Sequence, residues 1–83
     1  MIADFIREEE LIKELLKLTK DRVLNWSAGN KTFVASHKGS TVILMVGSWY
    51  KAIQIYDEET DFCIGTKEFQ DLLVELHNTI IKA

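Results

Sequence analysis

Two short turn sequences constrain the fold of this chain more than any other feature. Gly29-Asn30 and Lys38-Gly39 divide residues 22–46 into segments of alternating polarity, the pattern of an antiparallel β-meander. Because a two-residue loop pairs the residues that flank it, the first turn predicts that Trp26 lies opposite Phe33. The same counting at the two turns predicts further pairs: Leu24 with Ala35, Ala35 with Val42, and Phe33 with Leu44.

Both turns place the same apolar side chains on one face of the predicted sheet. A slip of one residue would move every side chain to the opposite face, so agreement between two independent turns favours an antiparallel sheet. If Val46 pairs with Lys51, the next segment keeps this face, and a turn over residues 57–61 allows a short fifth strand. The predicted covered face consists of Leu24, Trp26, Phe33, Ala35, Val42, Leu44, Ile53, Ile55, Phe62 and Ile64.

Amphipathic segments flank the meander. Residues 5–18 and 67–82 carry apolar side chains at helical spacing, and Asp4 and Thr66 are suited to cap these helices. The sequence therefore predicts one α+β domain over residues 1–83: an N-terminal helix, an antiparallel β-meander of four to five strands, and a C-terminal helix, with both helices packed on one sheet face. The helical stripes consist of Phe5, Leu11, Ile12, Leu15, Leu16 and Leu18 in the first helix, and of Phe69, Leu72, Leu73, Leu76 and Ile80 in the second.

The composition narrows the classes of function. Of the 83 residues, 47% are hydrophobic and 28% are charged, which excludes a disordered chain, and no apolar run is long enough to cross a membrane. The net charge of -3 repels nucleic acid and anionic lipid. Cys63 is the single cysteine, so no internal disulfide can form, and the acidic N-terminal region lacks the pattern of a secretory signal. We therefore expect a cytoplasmic protein without membrane contact.

The second face of the predicted sheet is more apolar than a fully solvated face. The central strand, residues 41–46, has apolar residues of both parities, as a strand covered on both faces would. An exposed apolar patch on a small domain is typical of an association surface. Two other interpretations stay open: a helix wraps over this face, or it is an ordinary semi-polar open face. The predicted protein interface consists of Val34, Ile43, Met45, Ala52 and Tyr56.

Few residues could support catalysis or metal binding. The candidates His37, His77 and Cys63 lie at spacings that bring no nucleophile next to a base, and no catalytic sequence motif occurs. The acidic turn at residues 57–61 lacks the central glycine and distal glutamate of an EF-hand loop, which favours a solvated hairpin tip. We therefore predict no catalytic residue, no cofactor and no metal site.

The segment Trp49-Tyr50-Lys51 is a possible ligand loop. Its aromatic rings, together with Lys31 and Lys38 elsewhere on the meander, have the chemistry needed for base stacking beside phosphate contacts. Since the lysines are scattered and the net charge is negative, we expect weak binding of nucleic acid or none. Of the two tryptophans, Trp26 is predicted to be structural and Trp49 to be accessible.

The order helix, three strands, helix resembles the double-stranded RNA binding domain. That family starts its second helix with several lysines that bind phosphates, whereas residues 66–71 here contain one lysine and two acidic residues. The likeness covers the order of elements alone, which many folds share. Residues 15–19, followed by Trp26 and a meander, also resemble small bacterial and prophage proteins that carry no assigned activity, and this likeness implies no function.

These features favour a small cytoplasmic, non-enzymatic protein-interaction module. In this hypothesis the open sheet face forms a homodimer or binds another protein, because the sequence shows an apolar patch and no convergent titratable groups. The alternative is a weak nucleic-acid or small-ligand binder that uses Trp49, Tyr50 and Lys51. An enzyme ranks third.

Overall fold

The computed structural model describes residues 2–65 and 67–82, which form two helices and a sheet. The five strands are antiparallel throughout and lie side by side in chain order. This confirms the α+β fold class and the predicted fifth strand. The elements are α1 (Ile2–Lys20), β1 (Ser27–Ala28), β2 (Thr32–His37), β3 (Ser40–Val46), β4 (Lys51–Tyr56), β5 (Asp61–Ile64), a 3₁₀ turn (Lys67–Phe69) and α2 (Gln70–Lys82).

The turn between β2 and β3 has the predicted position. Lys38 and Gly39 adopt φ values of 51° and 81°, and positive φ at both central residues is what a type I′ hairpin turn requires. The register that follows places Phe33 opposite Leu44. The predicted register also holds in the next hairpins: Val42 lies opposite Ile55, Leu44 opposite Ile53, Ile55 opposite Phe62, and Ile53 opposite Ile64.

The turn between β1 and β2 differs from the prediction by one residue. Its left-handed residue is Lys31, with φ of 62°, and the Gly29 N–H donates to the Thr32 carbonyl at 2.7 Å. The predicted Gly29-Asn30 loop is therefore wrong. A Cβ at position 29 would lie 2.7 Å from the Thr32 hydroxyl oxygen, so this glycine permits close approach instead of providing a positive φ.

This shift changes the partners of the first strand but not the face. Ala28 lies opposite Phe33, so the predicted pairs of Trp26 with Phe33 and of Leu24 with Ala35 are wrong. The register has moved by two residues, which preserves the side-chain parity. The strand itself contains only Ser27 and Ala28, and the chain from residue 22 to residue 26 is not part of the sheet.

The end of α1 explains why β1 is short. The Val23 N–H donates to the Leu18 carbonyl and the Arg22 N–H to the Thr19 carbonyl, with Arg22 at a φ of 61°. This is the Schellman pattern of helix termination, with arginine where glycine is commonest. The turn directs the chain back under the helix, where Leu24 is buried.

Trp26 joins this connection to the helix. Its indole N–H donates to the Thr19 hydroxyl oxygen at 2.9 Å, and that hydroxyl donates to the Leu15 carbonyl at 2.7 Å. Thr19 is 1% exposed, so the two hydrogen bonds satisfy a polar group inside the core. The tryptophan is partly buried against the core, as predicted, although its partner is α1 and not Phe33.

The hydrophobic core lies between the helices and one face of the sheet. Ile12, Leu15 and Leu16 come from α1, and α2 with its preceding 3₁₀ turn adds Phe69, Leu73 and Leu76. The sheet contributes alternate residues of β2 to β5, and all of them lie on the same face. This confirms that both helices pack on one sheet face. These residues are Ala35, Val42, Leu44, Ile53, Ile55 and Ile64. Phe62, predicted as core, is 41% exposed because β5 is the edge strand of the sheet within the described residues.

The predicted helix caps have different outcomes. Because α1 begins at Ile2, Asp4 lies within the helix and is not its N-cap. The cap predicted at Thr66 and the side chain of Phe5 lie outside the described residues. The second helix begins with the 3₁₀ turn at Lys67–Phe69 before continuing as α-helix to Lys82.

We expect the two tryptophans to differ in their effect on stability. Trp26→Ala removes a core contact and leaves Thr19 without its indole donor, so the free energy of unfolding should fall by about 3 kcal/mol. Trp49 is 93% exposed, and Trp49→Ala should change it by less than about 0.5 kcal/mol. Urea denaturation of both variants measures the difference. Equal destabilisation by the two substitutions would contradict this packing.

Candidate functional site

The sheet face opposite the helices carries the predicted interface. On this face, Val34 of β2 lies beside Ile43 of β3, and Met45 of β3 lies beside Ala52 of β4. Tyr56 lies at the far end of β4 and is 38% exposed. We call these five side chains the open face. Among the described residues, neither helix covers them, which answers the question that the sequence left open.

Polar side chains surround the open face. Gln54 separates Ala52 from Tyr56 along β4, and its amide donates to the Asp61 carboxylate at 3.0 Å. A central apolar strip with a hydrogen-bonded polar margin is the composition of many protein interfaces. The other polar members are Thr32, Ser36, Thr41 and Cys63.

The loop between β3 and β4 places two aromatic rings in solvent. The Gly47 N–H donates to the Tyr50 carbonyl at 2.9 Å, which leaves Ser48 and Trp49 at the hairpin tip. Trp49 is 93% exposed and Tyr50 58%, so Trp49 is accessible as predicted. A Cβ at position 47 would lie 2.7 Å from that same Tyr50 oxygen, and only glycine fits this tight crossing.

One groove unites part of the predicted interface with part of the predicted ligand loop. Met45 and Ala52 of the interface line it together with Tyr50 of the loop and Lys31. The groove has a volume of about 350 Å³ and lies at the end of the sheet that carries the Trp49 hairpin tip. We call it the Lys31 groove. Its remaining lining residues are Val46, Gly47, Cys63 and Gly65.

Lys51 does not join this groove. Lys51 and Ile53 are two residues apart in β4, so both side chains lie on the helix side of the sheet. Burial and the charge of Lys51 together lower the pKa of His77 in α2. The predicted loop is therefore divided, with Tyr50 on the open side and Lys51 on the covered side. This separation weakens the case for a joint stacking and phosphate site.

Gln70 completes the hydrogen bonding of β4 where β5 ends. Its side-chain oxygen accepts from the Lys51 N–H, and its amide nitrogen donates to the Lys51 carbonyl, both at 2.8 Å. Since β5 ends at Ile64, which pairs with Ile53, the glutamine supplies Lys51 with the backbone hydrogen bonds that a longer β5 would provide. No periodic pattern marks Gln70 in the sequence, and its role depends on tertiary contact.

A second groove lies at the opposite end of the open face. Gly39, Thr41 and Tyr56 line it together with the carboxylates of the β4–β5 turn, and its volume is about 600 Å³. We call it the acidic groove. Its carboxylate residues are Asp57, Glu58 and Glu59.

Asp57 builds the turn beside this groove. One carboxylate oxygen accepts from the Glu59 N–H, the Thr60 N–H and the Thr60 hydroxyl, and the other accepts from the Ser40 hydroxyl at 2.9 Å. These donors lower the pKa of Asp57 to about 2, with the Glu59 backbone N–H as the largest cause. Both oxygens of the Asp57 carboxylate thus accept hydrogen bonds from nearby residues of the fold, whereas Glu58 and Glu59 are exposed to solvent.

The candidate catalytic residues are not brought together. The His37 ring contacts the Glu14 carboxylate at 2.7 Å on the α1 side, and this hydrogen bond is the main reason that the pKa of Glu14 is lowered. His77 packs at 5.4 Å from the Phe33 ring, and burial is the main cause of its lowered pKa. Cys63 has open-face parity beside Gln54, so the sheet separates it from both histidines.

Comparisons with known proteins and with simple site types supply no further assignment. No family model matches the chain, and neither a curated protein nor a solved structure is similar enough to match it. Across residues 2–65 and 67–82, no group of three or more histidine, cysteine, aspartate or glutamate residues is placed to hold a metal ion. In the same part of the chain, neither helix is long and apolar enough to cross a membrane.

The lowered pKa of Asp57 predicts an acid-dependent loss of stability. A carboxyl whose folded-state pKa lies below its ordinary value of 3.8 stabilises the fold above that pH, and the contribution disappears as the pH falls towards 2. NMR titration should place the Asp57 midpoint near 2. Asp57→Asn should flatten the dependence of stability on pH between about 4 and 2. An ordinary Asp57 midpoint would contradict the hydrogen bonding described.

Proposed function

We propose that this protein is a small cytoplasmic, non-enzymatic interaction module that self-associates through its open face. The observation that carries the proposal is the apolar strip of Val34, Ile43, Met45 and Ala52 on the side of the sheet away from both helices. Ala52 is 8% exposed, but Val34, Ile43 and Met45 are only partly buried and leave apolar surface hydrated that a second sheet could bury. A second copy presents a strip of the same shape and chemistry, as an isologous interface requires.

The size of the face predicts a weak, reversible dimer. Only β2, β3 and β4 are about 20 Å long, since β1 has two residues and β5 has four, so at a spacing of about 4.8 Å the sheet offers roughly 400 Å² per copy. Two such faces packed together bury roughly 800 Å² in total, an area typical of weak complexes. We therefore expect dissociation at low micromolar concentration and association above it.

The separation of the titratable side chains supports a binding role over catalysis. Cys63 and the two histidines lie on different sides of the sheet, and the strongest carboxylate shift, at Asp57, is explained by a turn. An active site needs such groups to converge in one cleft. The open face instead offers an apolar surface on which another protein surface can pack.

Self-association should depend on the central residue of the open face. Light scattering should give a mass that rises from monomer towards dimer as the concentration approaches roughly 100 μM. Ile43→Glu puts a charge in the middle of the interface and should hold the mass at that of the monomer. Met45→Lys should act in the same way. The matched control is Val74→Glu, because Val74 is 41% exposed on α2, away from the open face, and it should behave as wild type.

Circular dichroism should show that all of these variants are folded. A wild-type mass that stays monomeric at high concentration would contradict self-association. Unfolding by both Ile43→Glu and Met45→Lys, with Val74→Glu folded, would show that another part of the chain covers this face.

The exposure of Trp49 supports a second candidate function, weak binding of nucleic acid or a small ligand. A ring that is 93% exposed at a hairpin tip can stack on a base, and Tyr50 lies next to it. The net charge of -3 and the placement of Lys51 on the helix side oppose this function.

We expect no retardation of single-stranded RNA or DNA by low micromolar protein at physiological salt, because few phosphates would be neutralised. Gel-shift titrations of wild type and Trp49→Ala measure this. Clear retardation by wild type that is abolished in Trp49→Ala would favour the second candidate over self-association.

A further inference from the structure

We propose that the open face binds a second copy of this chain in one orientation, with the two-fold axis running across the strands. In this arrangement the Lys31 groove of each copy covers the acidic groove of the other. The inference rests on the proposed self-association and adds the orientation and the residues that set it.

The two grooves lie at opposite ends of the same pair of strands. The Lys31 groove contains Met45 and Ala52, which face each other across β3 and β4, and the acidic groove contains the facing pair Thr41 and Tyr56. A two-fold axis across the strands lays each β4 antiparallel over the β4 of the second copy. Opposite ends of the face then meet, and both groove-to-groove contacts form at once.

Charge distinguishes this orientation from its alternative. The described lining of one groove includes Lys31 and no carboxylate, whereas the other is lined by Asp57, Glu58 and Glu59. An axis parallel to the strands would bring like ends together, with acidic turn over acidic turn. Such repulsion opposes association, whereas the crossed axis places a cation over each acidic groove.

The lysine beside the acidic groove is engaged elsewhere. Lys38 precedes Gly39 of that groove, but its ammonium lies 3.4 Å from the Glu14 carboxylate of α1, on the helix side of the sheet. It is therefore directed away from Glu58 and Glu59. In the proposed dimer, Lys31 of the second copy supplies the positive charge beside Glu58 and Glu59 on the open side of the sheet.

Tyr50, which directly precedes β4, and Tyr56, the last residue of β4, fit the same arrangement. Tyr50 and Tyr56 bracket Ala52 and Gln54 along the open side of the strand, and in the single chain they are 58% and 38% exposed. With the strands antiparallel, Tyr50 of each copy lies over Tyr56 of the other. The line of side chains is then self-complementary, with a ring at each end and a small residue near the middle.

Charge reversal in two complementary variants tests the orientation. Lys31→Glu alone, and Glu58→Lys combined with Glu59→Lys, each place like charges together at both ends of a homodimer. Each should raise the dimer dissociation constant by about tenfold at low salt. An equimolar mixture of the two variants should form a heterodimer with nearly wild-type affinity, because every basic groove then faces an acidic one. Lys82→Glu, at the exposed end of α2, is the control and should have no effect.

Sedimentation equilibrium of the separate and mixed variants gives these affinities. If wild type dimerises but Lys31→Glu does not weaken its homodimer, or the mixture shows no recovery, the proposed orientation is wrong while self-association stands. If wild type stays monomeric at every concentration, self-association and this inference both fail.

Disulfide trapping provides a second readout that depends on distance instead of charge. In a Cys63→Ser background, oxidation of a mixture of Lys31→Cys and Glu58→Cys should give the crosslinked heterodimer. Lys31→Cys alone should remain largely uncrosslinked. Efficient crosslinking of Lys31→Cys to itself, with no disulfide between Lys31→Cys and Glu58→Cys in the mixture, would show the axis parallel to the strands and overturn the inference.

Discussion

The rest of the structure depends on the register of the hairpin between β2 and β3. Lys38 and Gly39 both adopt positive φ, and the resulting two-residue turn fixes Phe33 opposite Leu44. Side chains alternate between faces with a period of two, so a shift by one residue would invert the hairpin. Val42 and Leu44, which are completely buried, would then face solvent. The core and the open face are thus two results of one backbone constraint.

Much of the fold follows from the sequence because turn chemistry and alternation act locally. The register from β2 to β5 was predictable since each turn is short and each strand has a parity that apolar residues reveal. The first turn was mispredicted because glycine has two uses. At Gly29 the backbone needs space for Thr32, while the left-handed conformation falls on Lys31, whose side chain gives no local signal for it.

Tertiary contacts account for the other differences. The hydrogen bond from Trp26 to Thr19 joins a loop to a helix, and the amide of Gln70 pairs with the Lys51 backbone beyond the end of β5. Neither contact has a sequence period. For the candidate site, the alternation of side chains along the strands predicted which residues share the face away from the helices. The same alternation could have separated Lys51 from Tyr50, because Lys51 shares the face of Ile53 and Ile55. The two grooves become visible only when the hairpin tips are placed in space.

In the proposed assembly, Ile43 and Met45 of the open face are partly exposed in the single chain and become buried after association. Methyl NMR with a soluble paramagnetic probe, recorded across a dilution series, tests this directly. At low concentration the probe should broaden the methyl signals of Ile43 and Met45, and at high concentration these signals should become protected. Signals of Val74 should stay broadened and those of Leu44 protected throughout, because one is exposed on α2 and the other is in the core. Protection of Ile43 and Met45 that does not change with concentration would contradict the account.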